Sequence, residues 1–212
     1  SRFSTQTRYP DAKLMARLGY ERYGAQGGDW GAGVTRWLAS NDGGHCVGGH
    51  SNFPGANQPQ EEPMRGVTQE ELNRFQQRVK ELNDHRAYGA IQGTRPLTLG
   101  YGLTDSPSGL AAWIVDKFWA WSDHGGNLEN SFTKDELLTN VMIYWVTQTA
   151  TSSARYYYEG NHIPEPPAVP LRARVTVPTA CTVFPEEVLP FAPRGWAENL
   201  FNVQRYTFMP RG

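Results

Sequence analysis

Apolar positions along the chain recur at helical spacing in some stretches and at every second residue in others. In "DAKLMARLG", Leu14, Met15 and Leu18 share one face of a helix expected to begin after Pro10 and stop at Gly19. "YERYGAQ" reads as a short strand. Val34, Trp37 and Leu38 return at helical spacing between Trp30 and about Ser40, "NDGG" marks the exit, and "HCVGGHSNF" reads as a second strand. Strand, turn, helix, strand is the unit of a mostly parallel α/β sheet.

Beyond "PGANQPQEEP" the pattern is helical, without intervening strand signals, to about residue 160. Residues 68–86 form a polar helical segment with Thr68 and Glu71 in capping-box spacing. "SGLAAWIVDKFWAW", residues 108–121, is apolar around most of its circumference, which predicts a buried helix. "TKDELLTNVMIYWVTQTATSSARYYYE" reads as one further helix, with Thr133 and Glu136 in box spacing. Strand character returns in "RARVTVPTACTVFP" and "FNVQRYTFMPRG". The expected class is α/β, an incomplete parallel-sheet core with an inserted helical cap. Residues 1–58 carry the first part of the core, 59–165 the cap and 166–212 the return to the sheet.

Composition narrows the class of protein. With 39% apolar residues, 20 basic and 21 acidic residues and a formal net charge of -1, the chain has the profile of a soluble globular protein, and a cytoplasmic one is favoured. Its charges are spread without a basic block, so no nucleic-acid partner is indicated. No apolar run approaches the roughly 20 residues that cross a bilayer, and "SRFSTQTRYP" lacks a leader pattern. Cys46 and Cys181 are expected as separate small buried residues. His45, His50, His85, His124 and His162 show neither HExxH nor paired-cysteine spacing, so a zinc site is poorly supported. Several aromatic residues stand beside Gly, Pro, Asp and Asn, where rings often line pockets. Trp113, Trp119, Trp121 and Trp145 are first read as helix packing.

Between the first strand and its helix stands "GGDWG", Gly27 to Gly31. The spacing is that of a nucleophile elbow, a sharp strand-to-helix turn that lifts its central side chain above a sheet in strained dihedrals. Glycines at 27 and 31 remove Cβ atoms where the backbone passes close to itself. The Trp30 amide is placed to stabilise an oxyanion, and the first helical turn is expected to lower the Asp29 pKa. The pentapeptide also suits an Asp N-cap after a glycine turn. The flanking strand and amphipathic helix are the context that the nucleophile reading requires. An aspartate nucleophile forms an alkyl ester on carbon, chemistry suited to strained ethers or alkyl halides.

"QGGDWGAGVTRWLA", "YGAIQGTRPLTLGYGLTDSPSGLAAWIVDKFWAWSD", "FTKDELLTNVMIYWVTQTATSSARYYYE" and "VPTACTVFPEEVLP" together resemble the epoxide hydrolases of the α/β-hydrolase superfamily, in their microsomal and juvenile-hormone-hydrolysing branch. The resemblance spans nearly the whole chain in the family's order. It implies an α/β-hydrolase fold with a helical cap, Asp29 as nucleophile, Tyr88 and Tyr157 as the cap phenols that hold the epoxide oxygen, and Glu187 as the acid that orients a histidine. Tyr156 and Tyr158 flank Tyr157, and Glu186 precedes Glu187, so a shift of one residue would transfer either role. The family's terminal "GGHF" histidine and its His-Gly-x-Pro oxyanion segment do not occur in this sequence, which looks like an internal portion of a larger enzyme.

The implied reaction needs no cofactor. Asp29 attacks an epoxide carbon, Tyr88 and Tyr157 steady the oxygen, and water activated by a histidine hydrolyses the ester to a vicinal diol. The expected partners are a small apolar epoxide and water, with complementary segments or a homo-oligomer as further possibilities, and the expected setting is detoxification or aromatic hydrocarbon catabolism. Two alternatives stand beside this one. Haloalkane dehalogenases also follow the aspartate with a tryptophan, without needing the tyrosine pair. Taken as it stands, the chain could instead be a fragment that does not turn over and acts only through association.

Overall fold

The structure is a computed structural model and describes residues 4–55, 58–59, 61–162 and 174–212, with side chains from residue 10 onward. Four strands form one sheet in chain order: β1 (Tyr23–Gly27), β2 (Cys46–Ser51), β3 (Val175–Val183) and β4 (Phe201–Phe208). Every neighbouring pair is parallel, as the strand–turn–helix–strand order predicts. Helix α2 (Asp29–Asn41) links β1 to β2 and lays Leu38 and Ala39 against Cys46, Val175, Leu200 and Phe201 in one buried cluster. Cys46 and Cys181 are both buried and carry free thiols.

The first helix departs from expectation. Helix α1 (Ser4–Arg17) contains Pro10 instead of starting after it, and Gly19 at φ 80° follows it. Leu14 and Leu18 are 51% and 61% exposed, so the predicted apolar face is not a core face.

Between β2 and β3 lie α3 (Gln69–His85), α4 (Ala87–Thr94), α5 (Pro96–Asp105), α6 (Pro107–Ala120), α7 (Lys134–Thr147) and α8 (Ala150–His162). The capping boxes at Thr68/Glu71 and Thr133/Glu136 are both formed, each satisfying backbone N–H groups that a helix start leaves free. Leu103, Leu110, Val141 and Ala150 make the buried centre of this cap. Helix α6 is less buried than its composition predicts: Leu110 is sealed, while Trp119 is half-exposed and lies over His124.

The segment from Thr133 to Glu159 forms two helices, not one. Gln148 adopts φ 55°, and its amide and that of Thr149 fold back onto the Trp145 and Tyr144 carbonyls, a left-handed C-cap that ends α7. The break turns α8 across α4 and α5. A straight continuation could not have crossed those helices.

Helix α9 (Arg194–Leu200) has no counterpart in the sequence reading. It is short, and Gly195, Trp196, Ala197 and Leu200 are all buried, so no amphipathic stripe announces it. Tertiary contact fixes it: a methyl on Gly195 would meet the Arg65 carbonyl oxygen at 2.5 Å, and Trp196 Nε1 donates to the Pro63 carbonyl at 2.7 Å. The expected cap boundary at residues 165/166 lies outside the described residues. Among the described residues no helix is long and apolar enough to cross a membrane.

Candidate active site

The elbow joins β1 directly to α2. Gly28 occupies the N-cap position in extended backbone, and Asp29 itself is the first helical residue, at φ 44°. An ordinary Asp N-cap has β-region dihedrals and points its carboxylate at its own helix, so the capping alternative does not describe this turn. A left-handed conformation at a non-glycine residue is held only where its surroundings enforce it. Here the enforcement comes from missing Cβ atoms. A methyl on Gly27 would overlap the Gly31 carbonyl and stand 2.8 Å from Thr35 Oγ1, and one on Gly28 would run into the Asn52 amide behind the turn. Gly31 differs from the expected pattern, since a methyl there meets nothing within 4 Å. It is the Gly31 backbone, not its lack of a side chain, that crowds the turn.

Asp29 is open to solvent on one side and borders a cavity of about 310 Å³, together with Trp30, Arg36, Phe53 and Phe201. Its pKa lies above the ordinary carboxylate value, contrary to the expected lowering. Loss of hydration against the surrounding protein is the larger effect, and the hydrogen bond from the Trp30 amide opposes it. The Trp30 N–H is thus within hydrogen-bonding reach of the Asp29 carboxylate.

The cap brings its tyrosines to the elbow. Tyr88 stands on α4 and Tyr157 on α8, their rings edge to face with centroids 5.8 Å apart. The Tyr88 and Tyr157 hydroxyls are hydrogen-bonded to one another, and the Tyr88 pKa is raised by burial, by this bond and by the negative charge of Asp29. Trp30 packs edge-on against both Tyr156 and Tyr157, at 5.4 and 5.7 Å, tying elbow to cap. The three consecutive tyrosines therefore separate by direction. Tyr157 pairs with Tyr88, Tyr156 packs on Trp30 and has its pKa raised by burial, by Tyr157 and by Asp29, and Tyr158 stacks on His162 at 3.9 Å.

Glu187 follows β3 and is partly buried, while Glu186 is exposed. Its carboxylate accepts from the Leu189 amide at 3.3 Å and its own amide donates to the Phe184 carbonyl at 3.4 Å. No described contact joins Glu187 to Asp29 or to a histidine. His45, His50, His124 and His162 bond instead to the Glu21 carbonyl, Thr182, the Trp119 carbonyl and the Tyr158 carbonyl, and His85 ends α3.

Arg36 and Phe201, which line the cavity that Asp29 borders, were not anticipated as site residues, and neither was Gln92. Gln92 had a usable signal: it stands one helical turn beyond Tyr88 and so shares its face of α4. Arg36 had one too: it follows Asp29 by seven residues, two turns along α2, which puts both on one face of the helix, where they line the same cavity and Arg36 lies over the Phe201 ring. Among the described residues, no group of three His, Cys, Asp or Glu side chains is arranged to hold a metal ion.

Comparison with known proteins gives the chain its relatives. No family model matches it. A Stigmatella aurantiaca relative is 42% identical over 194 residues, which is 90% of this chain and 42% of that protein. Epoxide hydrolase 1 of Sus scrofa is 36% identical over 227 residues, 94% of this chain and 48% of its own length. Among solved structures, the juvenile hormone epoxide hydrolase of the silkworm Bombyx mori superposes with a TM-score of 0.83 at 29% identity, covering 99% of this chain and 54% of that one. The chain spans about half the length of the curated relatives it matches.

Proposed function

We propose, from the premise that this chain is a homologue of the epoxide hydrolases and has the α/β-hydrolase fold, that it opens an apolar epoxide through a covalent ester on Asp29. The Asp29 carboxylate attacks a ring carbon, the C–O bond breaks, and Tyr88 and Tyr157 donate to the oxygen as it gains charge, one phenolic proton passing to it. Water then attacks the ester carbonyl, releasing a vicinal diol and restoring the carboxylate, and the proton set free returns to the phenolate left by the first step. Glu187 is assigned the orientation of the histidine base for that second step, a histidine that is not among the five in this sequence. A carboxylate with a raised pKa is a stronger nucleophile, and a phenol with a raised pKa stays protonated as a donor well into alkaline solution.

The observation that carries this reading is the left-handed Asp29 in its glycine elbow, with its charge felt at Tyr88, whose hydroxyl is bonded to that of Tyr157. The phenol pair favours epoxide opening over halide release, because an opening epoxide oxygen must gain a proton, whereas a departing halide needs none. Aromatic lining on the cap side suits an aromatic or otherwise apolar substrate. The test is intact mass and peptide mapping after exposure to an aryl epoxide. Ester should appear on Asp29, be absent in Asp29→Asn and form more slowly in Tyr88→Phe. Equal labelling of Asp29→Asn would sink the assignment.

A further inference from the structure

Beside the phenol pair, a cavity of about 240 Å³ is bounded by α4, α6, α7 and α8, and Tyr88, Gln92, Trp113, Lys117, Trp121 and Tyr157 reach it. Gln92 is the unusual member. It is 8% exposed, and its Oε1 accepts from Trp113 Nε1 at 3.3 Å. An indole N–H can only donate, so the amide must turn its oxygen to Trp113 and its two N–H donors the other way. No described residue accepts from those donors. Nor is the nitrogen among the sealed unpaired atoms, as Trp121 Nε1 is, and Gln92 lines the cavity. A buried amide held in one orientation with unpaired donors is a recognition group waiting for an acceptor. The neighbouring cation adds no free charge, because Lys117 Nζ is 2.6 Å from Asp116 Oδ2 and lies over the Tyr88 ring at 5.5 Å.

We propose that this cavity holds the substituent of the epoxide, and that Gln92 Nε2 donates to an uncharged acceptor oxygen, an ether or carbonyl, carried on it. The inference rests on the proposed function, since the phenols on the same side fix the epoxide oxygen. Substrates with such an oxygen a few bonds from the ring are then preferred over hydrocarbons of the same shape. The preference comes from the penalty of leaving a buried donor unpaired when the wrong substrate binds.

The experiment uses terminal epoxyalkanes of equal chain length, with a single ether oxygen replacing each of the first few chain methylenes in turn, and follows Asp29 ester formation by intact mass. One ether position is expected to react about tenfold faster than the all-carbon compound, the effect of one added hydrogen bond of about 1.4 kcal/mol. In Gln92→Leu that ratio is expected to fall to about one. Gln92→Glu keeps an oxygen for Trp113 but loses both donors, and is expected to do the same. Because the readout is a ratio within each variant, a general loss of reactivity cancels, and an unchanged circular dichroism spectrum shows that each variant is folded. The proposal is overturned if no ether position outruns the all-carbon compound, or if the advantage survives Gln92→Leu. If no epoxide esterifies Asp29, the reaction assigned above fails, and binding of the corresponding diols by tryptophan fluorescence decides the subsite. A preference for one ether diol that Gln92→Leu abolishes supports it; equal binding of all diols overturns it.

Discussion

Replacing Gly27 by alanine should break the elbow, whereas the same change at Gly31 should strengthen its helix. The two glycines are equivalent in the Gly-x-Asp-x-Gly pattern and opposite in their surroundings. At Gly27 the new methyl would overlap the Gly31 carbonyl and press on Thr35 Oγ1 at 2.8 Å. Two of those obstructing atoms belong to the backbone and cannot rotate away, so the cost should reach the upper part of the overpacking range, about 3 kcal/mol. At Gly31, inside the first turn of α2, nothing lies within 4 Å. There alanine should add about 0.5–1 kcal/mol through the lost flexibility of the unfolded chain and better helix propensity. With a urea dependence of about 2–3 kcal/mol per molar, the Gly27→Ala midpoint should fall by about 1 M and the Gly31→Ala midpoint should rise by about 0.3 M. Urea titrations followed by far-ultraviolet circular dichroism measure both. Equal stability of Gly27→Ala and wild type would refute the claim that the turn is closed by backbone contact.

Other expectations test ionisation and the cap. Because the folded state raises the Asp29 pKa above its ordinary 3.8, the ionised carboxylate opposes folding at neutral pH. Asp29→Asn should therefore be more stable than wild type near pH 7. The gain should fade as pH falls through the raised pKa towards 3.8 and vanish below it, where the carboxyl is protonated both folded and unfolded; denaturation curves at several pH values give the sign. Ester formation on Asp29 should be lost over the same acidic range, as stopped samples analysed by mass would show. Thr133→Ala removes the side-chain acceptor of a formed capping box and should cost about 1 kcal/mol, read from the urea midpoint. Leu110→Ala empties the centre of the cap and should cost about 2–5 kcal/mol in the same measurement.

The local instructions were legible in the chain. Alternation and a closing proline marked β3, Thr-x-x-Glu spacing gave two helix starts, and the glycines around Asp29 gave a turn that few other residues could make. These features depend on neighbours within a few positions, where sequence and geometry are tied by the 3.6-residue and two-residue periods. What the sequence left open depended on contacts across the fold. Nothing in "TQTATSS" said whether a helix would continue or break, and the left-handed Gln148 that turns Tyr157 towards Tyr88 is decided by packing of α8 on α4 and α5. The sign of the Asp29 shift also needed three dimensions. The helix start pulls the pKa down and is visible in sequence, but the loss of water that pushes it up depends on residues from distant segments crowding the elbow. Gln92 makes the same point: its place one turn after Tyr88 is written in the chain, while the indole that holds its amide outward comes from another helix. Periodicity sets which face a side chain takes, and only the assembled fold sets what that face meets.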